Sequence, residues 1–236
     1  MDKHTSKAFD EELSNAINLF LKMGEMAAKQ VEKAVQALTD VNEQQAEEVI
    51  IADNQINQYE RELDERVLQL VIKRQPAASD LRLVMAMSKG VVDLERIGDE
   101  ASKIARMAKD LASQGSAPTG YSEAQHLSNQ VRLMIYEALE AFRKFDAEKA
   151  LNVIQHDSAI NREYQSAIRS LMTYIMEDSR YVSRMLSVMW ILRALERIGD
   201  HAKNIAELVI YTASGTDVKH TSYDEMEKTI LNTQSH

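Results

Sequence analysis

The chain has 236 residues, 44% of them hydrophobic, which is enough to bury a sizeable core and too apolar for a disordered polymer. Two prolines, seven glycines and no cysteine leave the composition of long helices and exclude disulfides, thiolate metal ligands and a thiol nucleophile. A formal charge of −9 repels a phosphate backbone, so nucleic acid is not an expected partner, whereas cations and basic protein surfaces fit.

The opening MDKHTSKAFDEEL lacks the apolar core of a signal peptide, and no apolar run approaches the roughly 20 residues of a membrane span, so a cytoplasmic location is expected. A first helix is predicted over about Thr5 to Leu38 and a second over about Glu43 to Arg74, separated by TDVN. Pro76 ends the second, and Ser79 is expected to cap a third that runs to about Ser113. SQGSAPTGYS is the one linker-like stretch, after which Ser122 and Gln125 read as a capping box for the fourth helix. Breaks at Asp146 and Asp178 delimit helices five and six, and residues from about 214 form a polar C-terminal tail.

The second half repeats the first. At an offset of 104, AEEVIIADNQIN (46–57) aligns with ALNVIQHDSAIN (150–161), and at an offset of 101 the word LERIGD at 94–99 recurs letter for letter at 195–200. The second unit is thus three residues shorter at the turn between its last two helices. The expectation is an all-α tandem duplication of two antiparallel three-helix bundles, 1–115 and 120–213, followed by the 214–236 tail.

A turn of about 100° per residue puts Leu83, Met87, Gly90, Leu94, Ile97, Ala101, Ile104, Ala108 and Leu111 on one stripe of helix three. Val188, Ile191, Leu195, Ile198, Ala202, Ile205 and Val209 do the same on helix six. Glu95 and Asp99, and likewise Glu196 and Asp200, fall roughly 140° to 180° from the stripe centre and are expected outside the core. Helix two carries a seam of Val49, Ala52, Ile56, Tyr59, Leu63, Val67 and Leu70, with Asp53, Asn57, Glu60 and Asp64 in the next column. Counted from Pro76, Asp53 is level with Asp99 and Asn57 with Glu95; counted from Asp178, Asp157 is level with Asp200 and Asn161 with Glu196. Carboxylates brought level repel, and a hard or borderline cation would compensate; neutralisation by Arg96, Arg197 and nearby lysines is the bland alternative. Gly98 and Gly199 each cost about 1 kcal/mol inside a helix, which points to a close approach of a neighbour or a ligand, or to tight packing alone. Among the methionines, Met85, Met87 and Met189 read as core filling.

KRQPAASDLR (73–82), DLERIGDEASKIA (93–105), LMTYIMEDSR (171–180) and LERIGDHAKNIAE (195–207) closely resemble the PhoU family of phosphate-specific transport accessory proteins, over about residues 9–209. The resemblance implies a pair of three-helix bundles, often dimeric, with no enzymatic activity. It implies a metal-binding role for Glu95, Asp99, Glu196 and Asp200, with Asp53, Asn57, Asp157 and Asn161 beside them, for Mg/Mn, iron or zinc. Relatives often carry Asp where Asn57 and Asn161 stand, and neutral Asn is the poorer ligand. It further implies negative regulation of the phosphate-starvation response and of phosphate uptake, with the phosphate ABC transporter ATPase and a phosphate sensor histidine kinase as partners, and membrane contact only through them. Arg74, Asp80, Arg82 and Arg180, near helix turns, are the candidate partner contacts. The rival reading is a carboxylate-bridged metalloenzyme or metal-storage bundle. That class uses Glu-x-x-His inside a four-helix core, whereas here the third residue after Glu95 and after Glu196 is glycine. His201 reads as a surface residue, and His156 as packed or solvated.

Overall fold

The computed structural model describes residues 2–76 and 78–234, with side chains described over 7–76 and 78–232. Seven α-helices are present among them: α1 (Asp2–Thr39), α2 (Glu43–Arg74), α3 (Ala78–Gln114), α4 (Tyr121–Lys144), α5 (Ala147–Glu177), α6 (Val182–Ser214) and α7 (Tyr223–Gln234), with a single 3-10 turn at Ser179–Tyr181 before α6.

The breaks are local chemistry. Asn42 caps α2 by accepting from the Gln45 N–H at 3.0 Å, and Asp146 caps α5 by accepting from Lys149 at 2.9 Å. α2 ends on Gln75, whose left-handed conformation sends its N–H back to the Val71 carbonyl just before Pro76. Two expected caps differ. α3 begins at Ala78, so Ser79 lies inside its first turn. α4 begins at Tyr121 on Gly120, which has φ +100° and no side-chain cap, while Ser122 donates to Glu123 and Gln125 to Asn129. Only glycine suits position 120, because a Cβ there would also stand 2.5 Å from Val188.

The C-terminal segment is more than a tail. Ser222 donates both its hydroxyl and its backbone N–H to the Glu225 carboxylate, each at 2.9 Å, the carboxylate half of a capping box at the start of α7. Val218, Met226 and Ile230 are buried, which docks the segment on α5 and α6.

α1 to α3 form one bundle and α4 to α6 the other, and a single hydrophobic core runs through both. α3 lies antiparallel to α6, since Asn204 reaches Asp93 while Arg184 reaches the Ser116 carbonyl. α1 meets α4 with Glu32 on Arg132 and Glu25 on Arg143, over a Phe20–Phe142 pair whose rings are 4.5 Å apart and fully buried. The predicted stripes of α3 and α6 are buried throughout. On α2, Ala52 is exposed and Asp53 takes the inward place; Met85 is also exposed, while Met87 is buried.

The two repeated glycines are not equivalent. A Cβ on Gly98 would lie 2.7 Å from Ile56 Cδ1 and 3.3 Å from Asp53 Oδ1, whereas one on Gly199 would meet Ile160 and Val131 at an ordinary 3.6 to 3.7 Å. Gly98 admits the close approach of α2; Gly199 does not need to be glycine. Gly199→Ala is therefore expected to stabilise by about 0.5–1 kcal/mol through helix propensity. Gly98→Ala loses that gain to overpacking of about 1–3 kcal/mol. Thermal unfolding of the two variants checks the opposite signs.

Candidate metal-binding acid clusters

α2 and α3 bring the first cluster together as the hairpin arithmetic predicts. Asp53 stands beside Asp99, with its Oδ1 next to the Gly98 position, and Glu95 feels both Asp99 and Asp53. α5 and α6 do the same with Asp157, Glu196 and Asp200. Their exposure differs from the expectation. Asp53, Asp157 and Glu196 are buried, at 9%, 4% and 8%, and Glu95, Asp99 and Asp200 are half-buried. The cause is a second buried column at seven-residue spacing, Val84, Val91, Gly98 and Ala105 on α3, with Met185, Leu192, Gly199 and Ala206 on α6. It widens each core face until the acids sit on its margin rather than on the far side.

Burial raises the carboxyl pKa of Asp53, and the neighbouring Asp99 charge adds to it, with Arg106 opposing. Glu95 is raised by burial and then by Asp99 and Glu60. Glu60, which the sequence placed in the right column but not in the cluster, is raised by burial and by Asp64 and belongs with them. In the second cluster, burial raises Glu196 and Asp200, with Asp200 and Asp157 respectively adding to it; Arg193 opposes both.

Counter-charges separate the two clusters. Asp157 accepts from Lys203 at 3.4 Å and from Asn161 at 3.2 Å, and Glu196 accepts from Arg193 at 2.6 Å. The aligned positions in the first unit hold Ser102 and Val92, and Tyr164 stands where the first unit has Glu60. The first cluster's nearest cation is the exposed Arg96, 3.7 Å from Glu95. Asn57 is half-buried alongside. Asp53 Oδ1, Asp157 Oδ1 and Glu196 Oε2 are buried with no hydrogen-bond partner. Such orphaned oxygens suit a hard cation. Among the described residues, however, no three acidic or histidine side chains close on one point.

The remaining expected residues are dispersed. His201 is not a surface histidine: its Nδ1 is 2.9 Å from Asp93 Oδ1, and the ring is 16% exposed. His156 is exposed, 3.3 Å from Glu137. Arg74 pairs with Glu12 at 2.8 Å, Asp80 is exposed, and Arg82 lies against the Gly215 turn, all at one end of the molecule. Arg180 sits at the other end, 2.6 Å from Asp178, and its hydrogen bonds hold that carboxyl down to about 2.

Fold and clusters together define a duplicated helical scaffold that carries a carboxylate set on each of its two hairpins. The chain belongs to the PhoU family: the PhoU domain model matches residues 20–108 and 124–209, from α1 to the end of α6. It is 52% identical over 229 residues to the phosphate-specific transport system accessory protein PhoU homolog of Pseudomonas aeruginosa, covering 97% of this chain and 95% of that one. It is 37% identical over 235 residues to the Escherichia coli K12 phosphate-specific transport system accessory protein PhoU, covering 100% and 97%. The crystal structure of PhoU from P. aeruginosa superposes with a TM-score of 0.86 at 53% identity over 88% of this chain and 100% of that one. The phosphate transport system regulatory protein PhoU of Streptococcus pneumoniae gives 0.82 at 28% identity, over 89% and 99%. None of these names is that of an enzyme. No helix among the described residues is long and apolar enough to cross a membrane.

A carboxyl whose pKa is raised on folding holds its proton more tightly in the native state. Its charge therefore opposes the fold above the raised pKa, and the opposition fades as pH falls through it. In chelator-treated protein, Asp53→Asn is expected to raise the melting temperature by about 2–4 °C near pH 7.5. The gain should shrink in mildly acidic buffer, as pH falls through the raised pKa and wild type also takes up its proton. Melting curves of both proteins at the two pH values check this.

Proposed function

We propose that this chain is a metal-binding helical adaptor that restrains phosphate uptake and represses the phosphate-starvation response. In this reading it links the phosphate ABC transporter ATPase to a phosphate sensor histidine kinase, works as a homodimer and meets the membrane only through those partners. The observation that carries it is the pair of carboxylate clusters with orphaned buried oxygens, in a chain that belongs to the PhoU family. Arg74, Asp80 and Arg82 at one end, and Arg180 at the other, are assigned as partner contacts.

Asp53, Glu95 and Asp99, with Asn57 as a neutral ligand, would hold a cation on the first hairpin; Asp157, Glu196 and Asp200, with Asn161, would do so on the second. The oxygen-rich set takes Mg/Mn or iron most readily and zinc less so. A bound ion would supply positive charge that ties α2 to α3 and α5 to α6. Side-chain rotation must accompany binding, since no three of these groups yet meet. Lys203 and Arg193 already neutralise part of the second cluster, so the first is the stronger site. A carboxylate-bridged enzyme is not favoured: the acids lie on hairpin margins, and Gly98 and Gly199 stand where that class has histidine.

Elemental analysis after dialysis tests the site. Glu95→Ala with Asp99→Ala should remove most bound metal, and Glu196→Ala with Asp200→Ala a smaller share, with helicity near wild type in both; metal content equal to wild type in both would refute the assignment. The regulatory role predicts that deleting the gene raises alkaline phosphatase in phosphate-rich medium. Unchanged output would remove this pathway.

A further inference from the structure

The duplication supplies an internal control for surface patches. Where α3 crosses α6, two grooves occupy pseudo-equivalent places at opposite ends of the seam. One, of about 480 Å³, has an apolar floor of Trp190 and Met107 rimmed by Lys103, Arg106, Arg193 and Arg197. Its single carboxylate is Glu100, buried to 2% and held between Lys103 at 3.0 Å and Arg197 at 2.9 Å. The other groove, about 520 Å³, includes Lys89, Val92, Asn204, Glu207 and Leu208.

At the offset of 101, Trp190 corresponds to Lys89, Arg193 to Val92, Lys103 to Asn204 and Arg106 to Glu207. Three of the four rim cations are therefore absent from the sister positions, and the exposed tryptophan replaces a lysine. Neither helix needs these residues to fold, since the sister positions build the same seam without them. In a chain of net charge −9, a groove rimmed by four cations stands against the average, although Lys103 and Arg197 hold its buried Glu100 and Arg193 reaches Glu196 at its edge. Trp190 is the only tryptophan and is 64% exposed, an apolar surface that water does not favour.

We propose that the Trp190 groove docks an acidic amphipathic helix of a partner protein, its apolar stripe on Trp190 and Met107 and its carboxylates on the flanking cations. Tryptophan and arginine are the residues that most often dominate binding energy at interfaces, and paired flanking charges set orientation and encounter rate. The surface adjoins the second acid cluster through Arg193, which also pairs with Glu196 at 2.6 Å, and its occupancy does not depend on which pathway the protein serves.

Because Trp190 is the sole indole, its fluorescence reads the groove directly. The full chain is titrated with a synthetic amphipathic helix of glutamate and leucine and with its lysine-for-glutamate counterpart. The acidic peptide should give a saturable blue shift and the basic one none. Raising salt from about 0.05 M to about 0.5 M should weaken binding about tenfold or more. Lys103→Gln with Arg106→Gln should weaken it by a similar factor, while Lys89→Ala at the sister groove leaves it within about twofold. Trp190→Ala, followed from a label on the peptide, should abolish binding, and its surface position leaves the fold intact by circular dichroism. Absence of a saturable shift, equal response to the basic peptide, or an unchanged affinity in the double variant overturns the proposal. So does a larger shift with phosphatidylglycerol vesicles, which assigns the groove to a membrane surface, or one that grows with protein concentration alone, which assigns it to a second copy.

Discussion

The structure depends on α3 and α6 being apolar on more than one face. Each carries the stripe that closes its own bundle and a further heptad-spaced column, and their antiparallel crossing merges two bundles into one core. Helices packed on so much of their circumference have little surface left for polar side chains. The LERIGD acids occupy part of what remains, and their half-burial follows from the width of the faces beside them. Repulsion among Asp53, Asp99 and Glu95 is thus a consequence of how the core closes, and their demand for a counter-charge arises at the same point.

Duplication gave two such points, and the chain treats them differently. One hairpin answers its acids from within, through Lys203 and Arg193. The other adds Glu60 and keeps its compensation outside. The glycines follow the same division, with Gly98 crowded by Ile56 and Gly199 in open contact. An identical word in the sequence therefore encodes two different electrostatic problems, because the residues that decide the difference lie on the partner helix or one turn away.

Periodicity in the sequence was sufficient for the six long helices, their order and the levelling of acids across each hairpin, since all three depend on spacing along one chain. It was insufficient for burial. A wheel drawn from one stripe sends Glu196 to solvent, and only the second column, Met185, Leu192, Gly199 and Ala206, brings it back. Breaks were legible where a polar residue interrupts the pattern, as at TDVN and Asp146, but the caps read from Ser79 and Ser122 were not the ones used, since α3 starts at Ala78 and α4 starts on the backbone conformation of Gly120. The C-terminal helix had a signal that composition obscured: the Ser222-x-x-Glu225 box followed by Met226 and Ile230 four apart. His201 was misplaced because its partner, Asp93, comes from the other unit, a contact that no pattern within one repeat contains.

The three residues missing from the second unit fall at its hairpin tip, between α5 and α6, and the acids stay level despite the loss. Each acid's azimuth is set by the seam of its own helix and its height by the crossing with α3 or α6, so the tip carries no phase information. Hairpin length is then a free variable between the two units: their ends can differ, to reach whatever lies beyond them, while the central register and the chemistry placed on it stay in step.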